Sequence, residues 1–274
     1  MGEIIAVTSG KGGVGKSSVC IHLGMMLASK GYKICLVDAD LGLKNLDLMM
    51  GLDNRVIFDM QDVVEERCLL ERALLQDKRE KNLYLLPVCK GVNFSGIHQE
   101  DFVRVMRVLQ NQFDYLFIDT PAGVESGFRF ASTVASRAII VSNLDVSALQ
   151  DADRVIGLLL KEGVAMLELV LNKVSPRAID KGMCVKIEDA TSWLAIPLLG
   201  YIVEDVRMQS HIEVADDAAC RSPSPAIHSS ITASMCLPAA FSKRRSRCPS
   251  SMNAGFCPGS LPPDISTRLL HTYE

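Results

Sequence analysis

The sequence predicts an α/β protein with a doubly wound, mostly parallel sheet flanked by helices. Three observations carry this prediction. Short β-branched runs alternate with stretches of helical periodicity along the first three quarters of the chain, as in successive strand–helix–strand units. A glycine-rich loop, Gly10-Lys11-Gly12-Gly13-Val14-Gly15-Lys16-Ser17, separates the first such run from the first helical stretch. Two apolar runs end on acidic residues, at Asp38 and Asp119, and carboxylates at strand C-termini lie where ligands bind in such sheets.

The first strand is Glu3-Ile4-Ile5-Ala6-Val7-Thr8. After the loop, Val19, Cys20, Leu23, Met26 and Leu27 recur at helical spacing up to Lys30-Gly31, a basic last turn with a glycine stop. The loop between them fits G-x-x-x-x-G-K-[ST] in the strand–loop–helix context that the pattern requires. Its glycines let successive backbone N–H groups turn inward on an anion, and the helix beginning near Lys16 adds its positive dipole end. Lys16 is expected to neutralise the β- and γ-phosphates of a nucleotide, and the Ser17 hydroxyl to ligate Mg²⁺. The expected nucleotide contacts are Gly10, Lys11, Gly12, Gly13, Val14, Gly15, Lys16, Ser17 and Ser18.

The second strand, Lys33-Ile34-Cys35-Leu36-Val37, ends on Asp38-Ala39-Asp40. Two carboxylates beside a Mg-nucleotide suit the ordering of metal-bound and attacking water. Residues 56–78 read as one or two short helices with Val63, Val64, Leu69, Leu70, Leu74 and Leu75 facing a core, and Cys68 as a small buried apolar residue. Asn82-Leu83-Tyr84-Leu85-Leu86-Pro87 is a third strand. Phe102, Val105, Met106 and Leu109 mark an amphipathic helix over about 100–112. Phe113 to Ile118 is a strand ending on Asp119, with Thr120-Pro121-Ala122-Gly123 behind it. Asp119 is expected to hold Mg²⁺ through water, since a hard cation takes oxygen ligands. Ala138 to Asn143 is a further strand, followed by Ser147-Ala148-Leu149-Gln150, a capping-box pattern that opens a helix running to Glu162-Gly163. Glu168 to Lys173 and Ile196 to Ile202 are the last strands. The run Asn172-Lys173-Val174-Ser175 lacks the aspartate that a guanine site of N-K-x-D type uses, which favours ATP over GTP.

Composition sets limits. At 274 residues and 48% hydrophobic, the chain has room for one sizeable α/β core. No apolar run approaches the ~18 residues of a membrane span. Nine cysteines without a C-x-x-C pair fit a reducing compartment and argue against structural disulfides or a metal knuckle. The start carries neither the basic nor the apolar region of a signal peptide, so a cytoplasmic location is expected. The net charge of −3 offers no global basic field for nucleic acid.

Lys11 and the strand-end motifs carry a resemblance. The loop K-G-G-V-G-K-S resembles the deviant Walker A motif of the ParA/MinD family, P-loop NTPases of the SIMIBI type. Asp38-Ala39-Asp40-Leu41-Gly42-Leu43-Lys44-Asn45-Leu46-Asp47 is similar to the switch I segment of the family's MinD members, and Asp119-Thr120-Pro121-Ala122-Gly123 to their Walker B strand and switch II. The resemblance implies Mg-dependent ATP hydrolysis by an ATP-bound homodimer in which Lys11 reaches the partner's nucleotide. It implies that Asp40 positions the attacking water, that Asp38 supports the magnesium shell, and that Asn172 contacts adenine. It further implies regulation of division-septum placement, peripheral attachment to the inner membrane, and contacts of Asp151, Asp153 and Arg154 with regulators of MinC and MinE type. Val203 stands where the family has a proline before Glu204-Asp205.

The resemblance runs from Ile4 to about Asp205. The expected organisation is therefore an ATPase domain over 1–214 and a non-matching tail over 215–274. The tail holds seven of the eleven prolines and four of the nine cysteines, with a basic cluster, Lys243-Arg244-Arg245-Ser246-Arg247. Without apolar periodicity it is expected to be disordered and to lack the family's membrane-inserting amphipathic helix. Two alternatives stay open. One is a ParA-like or flagellar-number-type positioning ATPase. The other is a non-enzymatic nucleotide-binding scaffold without membrane targeting.

Overall fold

A computed structural model describes residues 1–40, 46–88, 97–123 and 126–204. In chain order the elements are β1 (Glu3–Ser9), α1 (Lys16–Ser29), β2 (Ile34–Asp38), α2 (Leu46–Met49), α3 (Met60–Val64), α4 (Leu70–Ala73), β3 (Leu75–Gln76), β4 (Leu83–Pro87) and α5 (Gln99–Gln112). They continue with β5 (Tyr115–Ala122), α6 (Ser126–Val134), β6 (Arg137–Ser142), α7 (Val146–Lys161), β7 (Met166–Val174), α8 (Pro176–Asp180), α9 (Ile187–Leu194) and β8 (Leu198–Val203). Among the described residues no helix is long and apolar enough to cross a membrane.

The strands form one sheet in the order β3-β4-β2-β5-β1-β6-β7-β8. All pairings are parallel except β3 with β4. Period-2 alternation divides the strand residues between two faces. Cys35, Val37, Ile4, Ala6, Leu116 and Ile118 join Phe102 and Leu109 of α5 and Leu149 and Leu159 of α7 in one core. Ile34 and Leu36 point the other way, where a Cβ on Gly24 of α1 would lie 2.8 Å from Leu36. Helices thus cover both faces, as the near-continuous apolar strands require.

The sequence reading differs from the structure in four places. Leu69 is 72% exposed and does not face the core, because the chain leaves α3 through a left-handed Glu66 and presents residues 65–67 and Leu69 to solvent. Leu74 ends α4 and Leu75 opens β3, an antiparallel edge strand too short to show periodicity, where a helix was expected. The capping-box pattern at Ser147 does not start α7, which begins at Val146 behind Asp145 with no side-chain cap. Finally α6, α8 and α9 fill connections in which no helix was expected. The segment 41–45 and all of 205–274, including the basic cluster at 243–247, lie outside the described residues.

Candidate functional site

The parallel sheet places the C-terminal ends of β1, β2 and β5 side by side, and the register aligns Asp38 with Asp119 and Asp119 with Val7. The glycine loop leaves β1 at this edge. Gly13 and Gly15 sit in the left-handed region, at φ 77° and 91°, conformations that a side chain would strain. Gly15 is the N-cap of α1. No side chain caps that helix, and its first turn holds no acidic residue. Its leading N–H groups and dipole are therefore offered to an external anion.

Beneath the loop, Lys16 Nζ donates to Asp119 Oδ1 at 2.8 Å, and both side chains are almost fully buried. The second carboxylate oxygen of Asp119, Oδ2, has no hydrogen-bond partner among the described residues. Burial pushes the Asp119 carboxyl up, against the opposing pull of Lys16 and the Ser17 hydroxyl. Asp38 accepts from the Asp40 N–H through Oδ1 and from the Leu46 N–H through Oδ2, each at 3.2 Å. Burial, followed by the neighbouring Asp119 charge, pushes Asp38 up to about 7. Two carboxylates and one ammonium therefore share a dry site, an arrangement that leaves room for a further cation.

The oxygen set fits magnesium. Asp119 Oδ2 is a buried acceptor without a donor, burial and the Asp119 charge push the Asp38 carboxyl up to about 7, and Ser17 lies beside Asp119. Among the described residues no group of three or more His, Cys, Asp or Glu side chains could hold a metal. A hard divalent ion here would complete its shell with phosphate and water oxygens, as Mg²⁺ does in nucleotide sites.

Other candidate residues frame this centre. Asn172, at the end of β7, donates through Nδ2 to the Val14 carbonyl at 2.8 Å, and Lys173 donates through Nζ to the Gly13 carbonyl at 2.9 Å. A Cβ on Gly15 would lie 2.2 Å from Asn172 Nδ2, and one on Gly10 would lie 2.2 Å from the Asp151 backbone. Lys11 is exposed and donates to Ser147 Oγ at 2.9 Å. Asp40 is half-buried beyond Asp38, while Ser18 is the third residue of α1, its carbonyl 2.6 Å from His22 Nδ1. Asp151 and Arg154 form an exposed pair at 3.4 Å on α7, with Asp153 on the same helix. The structure thus brings Lys16, Ser17, Asp38 and Asp119 together, with Lys11 exposed on the loop and Asn172 buried against it.

The contacts of three further residues near the site have no local sequence signal. Lys173 sits in a strand whose sequence does not mark its tether to the Gly13 carbonyl. Ser147 carries a capping-box signature, yet its hydroxyl accepts from Lys11. A Cβ on Gly127 would lie 2.2 Å from the Ala39 carbonyl and 2.7 Å from Pro121. The start of α6 therefore seats directly on both acidic strand ends, and Ala39 N–H donates to the Asp119 carbonyl at 2.9 Å.

Comparison with known proteins agrees with this geometry. The ParA family profile, described as NUBPL iron-transfer P-loop NTPase, matches residues 1–231. A putative septum site-determining protein MinD of Guillardia theta is 45% identical over 205 residues, 75% of this chain and 76% of that protein. Among solved structures, the MinC:MinD cell division protein complex of Aquifex aeolicus matches at 38% identity with a TM-score of 0.71. It covers 77% of this chain and 84% of its own. The septum site-determining protein MinD of Pyrococcus horikoshii OT3 complexed with Mg-ADP matches at 30% identity and a TM-score of 0.67. It covers 77% of this chain and 85% of its own.

Proposed function

The chain belongs to the MinD septum site-determining branch of the ParA P-loop ATPases, and on that premise we propose how its residues carry out ATP hydrolysis in the service of septum placement. The observation that carries the reading is the buried Lys16–Asp119 pair under an uncapped helix N-terminus, with Asp119 Oδ2 lacking a donor. The site binds nucleotide and magnesium. The nucleotide is ATP, since Asn172-Lys173-Val174-Ser175 has no carboxylate for a guanine edge.

In the mechanism we infer, the loop amides and the α1 dipole bind the phosphates, and Lys16 turns its ammonium from Asp119 to the β- and γ-phosphate oxygens. Asp119, Asp38 and Ser17 would hold Mg²⁺, which when bound neutralises charge on the transferring phosphoryl group. Asp40 orients the attacking water. Lys11 reaches the nucleotide of a second copy of this chain, so turnover follows ATP-dependent dimerisation. Catalysis is positioning and charge neutralisation, without a covalent intermediate.

The exposed face of α7 around Asp151, Asp153 and Arg154 would receive regulators of MinC and MinE type. That reading is supported by the similarity to a MinD chain solved with MinC. The location proposed is cytoplasmic with peripheral membrane association. The partition proposed remains an ATPase domain over 1–214 followed by a separate tail over 215–274.

The matching profile's description raises a second reading, transfer of iron. The sequence has no C-x-x-C pair and no cysteine between Cys89 and Cys184, while Cys20 and Cys35 are buried. Bridging a cluster between subunits needs accessible thiolates, so septum placement is the better supported activity.

The test is calorimetric titration of the full chain with Mg-ATP and Mg-GTP, followed by phosphate release with and without anionic liposomes. Uptake of ATP over GTP with measurable hydrolysis supports the reading. Well-folded protein that takes up neither nucleotide sinks it.

A further inference from the structure

We propose that Lys173 is a positioning residue of the phosphate loop, aiming the Val14 N–H at bound phosphate by tethering the Gly13 carbonyl. The inference rests on the nucleotide reading above.

Three observations meet at this residue. Lys173 Nζ donates to the Gly13 carbonyl at 2.9 Å, across 160 positions of sequence. Its neighbour Asn172 donates to the next loop carbonyl, Val14, at 2.8 Å. Lys173 also holds φ 54°, a left-handed conformation shared among described non-glycine residues only with Glu66 and Ala195. Such a backbone is unfavourable for lysine, and residues held this way cluster at functional sites. Here it accompanies two consecutive side chains of β7 that reach two consecutive carbonyls of the loop.

The consequence follows from peptide geometry. In a planar trans peptide unit, the carbonyl and the following N–H point in opposite directions. The described residues contain no cis bond. Fixing the Gly13 carbonyl toward β7 therefore directs the Val14 N–H away from it, and fixing the Val14 carbonyl does the same for the Gly15 N–H. Both N–H groups belong to the concave loop that leads into the uncapped start of α1. Asn172 is buried and holds one peptide from beneath, and Lys173 is exposed and holds the other from the rim. Preorganised donors cost no reorganisation when the anion arrives.

A merely structural role predicts that stability and affinity fall together. Positioning predicts that they separate. Lys173→Met removes the charge and the donor but keeps the side chain's length. Lys173→Asn shortens the chain and suits the left-handed backbone better than lysine does.

The experiment measures Mg-ADP affinity by calorimetry, and melting temperature without nucleotide, for full-length wild type and variants. Both neutral variants should bind roughly three- to tenfold more weakly, the range expected when an exposed charge-assisted hydrogen bond is lost. Melting temperatures should stay within about 2 °C of wild type, with Lys173→Asn equal or higher. Lys173→Arg, which keeps a cationic donor, should recover affinity to within about twofold. Wild-type affinity in Lys173→Met overturns the proposal, as does an arginine variant as weak as the methionine one. Wild type that takes up no Mg-ADP defeats the nucleotide reading itself, and this inference with it.

Discussion

Lys11 Nζ and Ser147 Oγ lie 2.9 Å apart within one chain, so the lysine proposed to reach a partner's nucleotide is held by the start of α7. The contact is exposed, and exposed charged hydrogen bonds contribute on the order of 1 kcal/mol or less. It biases the lysine without locking it. Ser147→Ala should leave stability within about 0.5 kcal/mol and tighten ATP-dependent dimerisation by up to about fivefold, which sedimentation velocity would detect. Lys11→Ala should fold normally yet lose stimulated turnover. Stimulated turnover equal to wild type in that variant refutes the trans role.

Asp40 is the second prediction. It lies one strand-end step beyond Asp38, whose Oδ1 accepts from the Asp40 N–H at 3.2 Å. The backbone of Asp40 thus steadies the carboxylate proposed to hold the metal. Asp40→Ala keeps that N–H. It should retain Mg-ATP affinity within about threefold and lower hydrolysis by the 10²- to 10⁴-fold typical of a lost proton acceptor. Hydrolysis at the wild-type rate removes Asp40 from the mechanism.

The buried Asp38–Asp119 pair predicts a pH dependence. Asp38 keeps its proton in the folded, nucleotide-free protein up to about pH 7, whereas the unfolded chain releases it near pH ~4. Between those values the folded state binds more protons, so stability falls as pH rises through the window. The loss attributable to Asp38 is at most ~4 kcal/mol and is complete above pH ~7. Urea titrations at pH 5 and pH 8 should show the nucleotide-free protein weaker at pH 8. Asp38→Asn should flatten that slope, and Mg-ADP should raise wild-type stability most at pH 8. A wild-type protein more stable at pH 8 than at pH 5 without nucleotide contradicts the burial argument.

Much of this site was legible because its chemistry is local. The loop's spacing, Asp38-Ala39-Asp40 and Asp119-Thr120-Pro121 each encode a strand end in a few consecutive residues. The tethers were not legible for the opposite reason. Lys173 and Gly13 are 160 positions apart, and nothing in Asn172-Lys173 announces a left-handed lysine. Ser147 misled because Ser-x-x-Gln is a cap signature, but α7 already begins at Val146 and the hydroxyl serves Lys11 instead. Leu69 misled because apolar spacing marks a face without fixing where a short helix ends, and α4 starts only at Leu70. The antiparallel β3 has two residues, too few for any period.

The loop glycines predict a graded series. A Cβ on Gly10 would lie 2.2 Å from the Asp151 backbone, and backbone cannot swing aside. Gly10→Ala should therefore displace α7 and cost about 1–3 kcal/mol, the range for overpacking. Nothing lies within 4 Å of a Cβ on Gly12, so Gly12→Ala should change stability by less than about 0.5 kcal/mol. Thermal melts of nucleotide-free protein decide the matter. Equal melting temperatures for the two variants contradict the packing of α7 against the loop.

Arg137 tests the far end of the sheet. It opens β6, is 1% exposed, pairs with Glu168 of β7, and lies 3.9 Å from Glu3 of β1. One buried guanidinium thus links three adjacent strands at their N-terminal ends, away from the loop. Removing Arg137 would leave the Glu168 and Glu3 carboxylates, 18% and 23% exposed, without their cation, at a cost below the ~3–5 kcal/mol of a fully buried pair, whereas replacing a buried pair by apolar side chains is often neutral. Arg137→Met should destabilise the protein, and Arg137→Met combined with Glu168→Leu should recover most of the loss. Because the proposed nucleotide contacts lie at the opposite strand ends, any Arg137→Met protein that folds should bind Mg-ADP within about twofold of wild type. Denaturant midpoints and calorimetry on the same samples separate the two effects. A double variant no more stable than the single one shows that Arg137 acts through something other than its charge.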